Sequence, residues 1–230
     1  ARRMERMVMA ATPGSGGGGP KRQSVQGYHL YSLDRAVTLK DRETRQVRLF
    51  AADGVTAEER FVAPGRAQAV TGRLPAEREA NAVIRLRLEN TQAAGLGRPL
   101  PAGTVRVYRP DAQGTMRFVG ADGLDHTAVG RPAELTLGRD FDISLTRTQS
   151  DFRRVSERPR VTETAHRVVL HNAKPDRPVV VRVEQQLPGD WDILSESRPH
   201  QKPDAATAAW PVEVPADGEA VLTFRVRVRG

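Results

Sequence analysis

Five histidines, two acidic loops and two arginine rows are the residues of this chain whose types could do chemistry. The histidines are His29, His126, His166, His171 and His200, and no pair has the spacing of a helical or hairpin zinc site. His166 and His171 stand five apart, which puts them on opposite faces of a strand, so isolated strand or surface histidines are expected. Asp122, Asp125 and His126 fall in one loop and Asp140 with Asp142 in another, a set that would suit a cation or a carboxylate pair. Calcium needs more oxygen ligands than either loop supplies, so turn-forming aspartates are the simpler account. No serine lies in a Gly-x-Ser-x-Gly setting. Gly16 to Gly19 do not link a strand to a helix, so no phosphate cradle is expected there. Arg85 with Arg87, and Arg225 with Arg227 and Arg229, form alternating rows that could meet phosphate or an acidic polymer. Solvent-facing strand positions with edge protection by charge are the ordinary account of both rows.

Composition narrows the classes. Cysteine is absent, which excludes disulfides, thiolate metal sites and a cysteine nucleophile. The net charge of +8 invites an anionic partner, yet Asp and Glu are interleaved throughout and no long basic run appears. Aromatic residues make up 5% and none interleaves with the arginine rows, which disfavours base stacking and hence nucleic acid. No apolar run approaches the roughly 20 residues of a membrane span. The chain begins at Ala1 without an initiator methionine or an apolar signal core, the expectation for a fragment or a processed product.

The elements that would position these residues are strands. Residues 1–22 are expected to be a tail, with Met4, Met7 and Val8 at helical spacing and a flexible Pro13 to Pro20 linker. From Tyr28 onward the apolar pattern has period two with turn residues at short intervals, which predicts an all-β chain almost without helix. Strands are expected at Tyr28 to Leu33, Val37 to Leu39, Val47 to Leu49 and, less distinctly, Val55 to Val62, which Pro64-Gly65 ends. Ile84, Leu86 and Leu88 oppose Arg85, Arg87 and Glu89 as on a half-buried antiparallel strand. Pro110 to Gly114 is expected to be a hairpin loop with proline presetting the turn. Leu135 and Leu137 begin a strand before Gly138, and Ile143 to Arg154 and Val161 to Asn172 are long strands joined through Ser156 to Pro159. Pro188-Gly189 and Asp217-Gly218 carry tight-turn and hairpin signals, and Ser195 to Thr207 a loop. The last strand buries Leu222, Phe224, Val226 and Val228. Two sandwich-like domains are expected, 23–154 and 155–230, the second immunoglobulin- or fibronectin-like. Ile84 to Asn90 and Arg167 to Asn172 both end in asparagine before a loop, a short echo that chance explains.

Gly95 to Tyr108, Gly-Leu-Gly-Arg-Pro-Leu-Pro-Ala-Gly-Thr-Val-Arg-Val-Tyr, is expected to set strand order in the first domain, with Gly97 and Gly103 both intolerant of valine. Together with Tyr28-His29-Leu30-Tyr31, the Val37 to Leu49 block, Leu88 to Asn90, Phe118-Val119-Gly120, Leu135 to Asp142, His171-Asn172-Ala173-Lys174 and Leu187-Pro188-Gly189-Asp190-Trp191, it resembles domain of unknown function family 4139, related to mucoidy-inhibitor-A-like proteins. The resemblance runs from Tyr28 to Arg229. It implies an all-β bacterial protein, often exported, with no established catalytic residues.

The expectation is a non-enzymatic extracytoplasmic module, periplasmic or in the cell envelope, binding a protein or envelope component or serving a structural role. No catalytic, cofactor or metal residue is assigned. The alternatives are an electrostatic binder of nucleic acid or polysaccharide through Arg85, Arg87, Arg225, Arg227 and Arg229, and a hydrolase assembled from the Asp122 to His126 and Asp140 to Asp142 loops.

Overall fold

The computed structural model describes residues 6–7, 21–25, 28–32, 38–74 and 78–230. Strands hold 63% of the chain and helix 2%, so the fold is all-β, as the period-two pattern predicts. In chain order the strands are β1 (Arg6–Met7), β2 (Lys21–Val25), β3 (Tyr28–Ser32), β4 (Ala52–Asp53), β5 (Ala57–Gly65), β6 (Arg78–Glu89), β7 (Gly103–Pro110) and β8 (Met116–Leu124). There follow β9 (Pro132–Glu157), β10 (Arg160–Asn172), β11 (Val179–Gln186), β12 (Asp190–Glu196), β13 (Gln201–Asp204), β14 (Thr207–Val214) and β15 (Gly218–Arg229). One turn of helix, α1 (Gln68–Thr71), follows β5. Nine strands form one sheet in the order β12-β15-β10-β9-β6-β5-β11-β14-β13.

The chain divides into two compact units, 1–59 with 86–137, and 60–85 with 138–230. This departs from the boundary expected at 154/155. That boundary falls in the hairpin of β9 and β10, whose register runs from Arg160↔Glu157 to Asn172↔Ile143, a ladder too long to be a linker. The chain passes between units inside β5, β6 and β9 instead. At the third crossing Gly138 adopts φ +138°, a conformation that side chains disfavour, and what looked like two strands is one. The expected tail also contains structure, since β1 pairs with β4 and β2 with β3. The rest of 1–22, including Met4, Val8 and the glycine run, lies outside the described residues, as do Leu33 and Val37.

In the unit 1–59 with 86–137, the core gathers Val55, Leu86, Leu88, Leu100, Val105, Leu124 and Leu135. Leu86 and Leu88 are buried as the alternation of β6 requires. The block Val47 to Leu49 is not a strand and Leu39 is 61% exposed, and neither pairs with a strand among the described residues. β7 and β8 form the expected hairpin. Its turn runs from Asp111 to Gly114, with Asp111 Oδ1 accepting from the Gln113 and Thr115 amides at 3.0 and 2.9 Å. Pro110 is the last residue of β7, so the aspartate sets this turn rather than the proline.

The Gly95 to Tyr108 stretch is tied down by Asn90, which is fully buried at the end of β6. Its amide donates to the Thr127 and Ala128 carbonyls at 3.3 and 3.0 Å, and its Oδ1 accepts from the Arg98 amide at 3.3 Å. Gly97 has φ +67°, and a Cβ there would stand 2.7 Å from the Gln92 nitrogen. Gly103 is different: it opens β7 and a Cβ would meet nothing within 4 Å. Gly97→Val is therefore expected to lose at least about 2 kcal/mol in urea unfolding, whereas Gly103→Val stays within about 0.5 kcal/mol of the parent. The open space beside Gly103 corrects the expectation that both glycines are needed.

In the unit 60–85 with 138–230, the core is larger and centres on Trp210, Leu170, Leu187, Leu222, Ile143 and the inward valines of β11 and β15, among them Val181, Val183 and Val226. Trp210 of β14 stacks on Phe224 of β15 at 4.4 Å, although these strands are not hydrogen-bonded neighbours. Two stretches of this sheet therefore face each other across the core, a sandwich-like packing. The strands after 155 do not close a sandwich among themselves, because β10 pairs with β9 and β11 runs parallel to β5. β13 lies inside the stretch expected to be a loop, pairing with β14. Pro188-Gly189 and Asp217-Gly218 turn tightly but join strands that pair elsewhere, β12 and β15 with each other and β14 with β11. Asn172 repeats the part played by Asn90. Fully buried at the end of β10, its amide donates to the Arg177 and Pro215 carbonyls at 3.0 and 2.9 Å while its Oδ1 accepts from the Lys174 amide at 3.1 Å.

Candidate functional site

The arginine rows lie on β6 and β15. On β15, Leu222, Phe224, Val226 and Val228 point into the core, so Arg225, Arg227 and Arg229 face outward. Each meets a carboxylate from another strand: Arg225 reaches across β10 to Asp151 of β9 at 2.7 Å, while Arg227 meets Glu163 of β10 at 2.6 Å and Arg229 meets Asp192 of β12 at 2.7 Å. Arg85 pairs with Glu184 at 3.1 Å, and Arg87 with Glu89 at 2.8 Å. Arg85 and Arg87 belong to different compact units. Such pairs contribute little stability individually. Their larger effect is to cancel the field that a polymer-binding arginine row would need.

Glu163 holds two of these contacts. Arg227 donates through Nε and Nη2 to one carboxylate oxygen at 2.8 and 2.6 Å, and Arg153 donates to the other. The carboxylate is only 3% exposed, covered by the two guanidinium groups rather than by depth in the core. Its pKa is held below the ordinary glutamate value by the hydrogen bond from Arg153 first and that from Arg227 second. A depressed carboxyl stabilises the fold above its unfolded pKa and loses that contribution as pH falls through the folded value. Glu163→Gln should then be less stable than the parent by about 1 kcal/mol at neutral pH. The gap should begin to narrow as pH falls below the ordinary glutamate pKa and close as pH passes the depressed folded value, in urea melts taken across a pH series. A gap independent of pH would contradict this.

The acidic loops are engaged within the fold. Lys174 Nζ lies 3.1 Å from Asp140 and 2.8 Å from Asp142, and 5.9 Å from the Phe61 ring centroid. Burial works against its charge, but hydrogen bonds to Asp142 and Asp140 outweigh it and hold the ammonium above the ordinary lysine pKa. The cation between these two carboxylates is the chain's own. In the other unit, Asp122 accepts from the Gly123 and Thr136 amides at 2.8 and 2.6 Å, and His126 Nδ1 accepts from the Ala102 amide at 3.3 Å. The hydrolase alternative thus draws on two groups in different units, each already hydrogen-bonded locally. Among the described residues no cluster of three or more His, Cys, Asp or Glu could hold a metal ion.

The histidines separate as strand geometry requires. His171 is 44% exposed, while His166 is 1% exposed and stacks on Phe224 at 5.1 Å. Burial, and then the charge of Arg147, push the His166 pKa down to about 4, so it is neutral at pH 7. His200 Nδ1 lies 3.0 Å from Glu196, which also accepts from Trp210 Nε1 at 2.7 Å. The side chain of His29 is outside what is described.

Sequence reasoning missed a polar cluster beneath β5. Arg147 is 7% exposed, with Nη1 donating to Gln185 Oε1 at 2.7 Å and Nη2 lying 3.5 Å from the Ala63 carbonyl. Among the described residues no carboxylate pairs with it. Burial alone pushes its pKa down to about 10, so it stays charged at pH 7. Directly above lies an open groove of about 430 Å³ lined by Gly65, Arg66, Arg85, Glu184, Gln186 and Thr207 among others. It forms where β5 and β11 end side by side, at the Gln185↔Gly65 register pair.

No protein-family model, curated protein or solved structure matches the chain. Among the described residues no helix is long and apolar enough to cross a membrane.

Proposed function

We propose that this chain is a non-enzymatic extracytoplasmic module of domain of unknown function family 4139, binding a protein or envelope component or serving a structural role. The observation that carries this reading is the commitment of its reactive side chains to the scaffold. Lys174 closes the Asp140 and Asp142 pair, His126 accepts a backbone amide, and Glu196 holds Trp210 and His200. These contacts occupy the groups on which the hydrolase reading draws and so favour the module over it. The motif order from Tyr28 to Arg229 supports the family, and export follows from that resemblance. Fractionation of cells producing the full-length protein tests the compartment: recovery in the periplasmic or envelope fraction is expected. Recovery wholly in the cytosol overturns the extracytoplasmic reading.

A further inference from the structure

We propose that the groove over Gly65 binds a small oxyanion, the carboxylate or phosphate head of a ligand, through the guanidinium groups of Arg66 and Arg85. This goes beyond the module reading and does not depend on it, since the argument is local to the unit that holds β5 and β11.

The groove is rich in donors. Arg66 is exposed and pairs with no carboxylate among the described residues, while Arg85, Gln68, Gln186 and Thr207 add N–H and O–H groups. Its carboxylate, Glu184, is already engaged by Arg85 and Arg182, each at 3.1 Å. Arg85 gives Glu184 one Nη1 contact, which leaves most of its five N–H donors for another acceptor.

The floor adds to the field. A Cβ on Gly65 would stand 2.7 Å from Arg147 Nη1, so the buried guanidinium lies directly beneath the backbone of the floor. Its charge is uncancelled by any described carboxylate, and in a poorly solvated interior its field is weakly screened. The lining thus sets two guanidinium groups, Arg66 and Arg85, against one carboxylate, Glu184, with the Arg147 guanidinium and its Gln185 partner beneath, a net positive concavity. Concave sites lined by one sign of charge concentrate the opposite ion. Guanidinium forks recognise carboxylate and phosphate with two parallel hydrogen bonds. Apolar lining is scarce, which disfavours a greasy ligand, and the volume suits a head group with a few further atoms.

The test titrates the whole chain with inorganic phosphate and, separately, with succinate, at constant ionic strength set by sodium chloride. Nitrogen–proton NMR follows the Gly65 amide and the arginine Nε–H signals. Saturable shifts with a dissociation constant of about 1 mM or tighter are expected for at least one probe. Saturation by phosphate but not succinate identifies a phosphate head, and the reverse identifies a carboxylate. Arg66→Gln and Arg85→Gln should each weaken binding about tenfold, while Arg106→Gln, an exposed arginine of the other unit, should leave it unchanged. Glu184→Gln removes the competing carboxylate and should tighten binding about threefold, a gain of affinity that misfolding would not produce. Absence of saturation with both probes, saturation indifferent to Arg66→Gln, or weaker binding by Glu184→Gln overturns the proposal.

Discussion

Trp210→Ala is expected to lose about 3–5 kcal/mol of stability, enough to unfold a domain of ordinary margin. Trp210 is fully buried, and its ring stacks on Phe224 at 4.4 Å and 22°, with Phe224 stacked in turn on His166. Truncation removes the ring that joins two facing stretches of sheet and leaves a cavity that rigid strands cannot close. It also takes the Nε1 donor from Glu196. Trp210→Phe separates the two effects: it keeps most of the ring and loses the donor, and should cost about 1–3 kcal/mol. Trp191 lies in the same compact unit, so its fluorescence reports unfolding of that unit in both variants. An alanine variant with the parent's urea midpoint would show that the stack does not hold the core.

Strand identity was readable because period two is a local property. β15 buries Leu222, Phe224, Val226 and Val228 at the positions the alternation names, and β10 separates His166 from His171 in the same way. Strand partnership was not readable. Gly189 and Asp217 both take positive φ, as their turn signals require, yet each turn joins strands that hydrogen-bond to others. A two-residue turn fixes the direction of the backbone and leaves open which strand comes alongside. The 154/155 boundary failed for a related reason. Arg158-Pro159 looks like a break in the chain but closes the hairpin of β9 and β10. Asn90 and Asn172 show the reverse case. Chance suffices to explain so short an echo in sequence, yet both are fully buried and clip a loop with the same pattern of bonds.

The candidate sites follow the same division. The outward placement of the arginine rows was visible, whereas Asp151, Glu163 and Asp192 reach them from β9, β10 and β12, and sequence spacing says nothing of that. The cluster under the groove did leave a local signal. Ile143, Leu145 and Arg147 alternate along β9 on one face, as do Val181, Val183 and Gln185 along β11. A charged or amide side chain at the inward position of such a row has to find partners in the core. Arg147 and Gln185 find each other.

Gly189→Ala should destabilise the same unit by about 3 kcal/mol, and the reason distinguishes it from an ordinary turn glycine. Its φ is +69°, which alone costs an alanine about 1–2 kcal/mol. A Cβ there would also run into the Arg229 carbonyl oxygen and lie 3.3 Å from the carbonyl carbon. Arg229 is the register partner of Asp190, the first residue of β12, so relieving the clash means parting the start of β12 from β15. Asparagine tolerates positive φ far better than alanine but carries the same Cβ. If the conformation were the whole cost, Gly189→Asn would recover most of it. If the carbonyl contact dominates, both variants should fall together in urea unfolding, and hydrogen exchange of the β12 amides should rise before that of β10. Equal stability of Gly189→Asn and the parent would remove the contact from the account and leave only the backbone conformation.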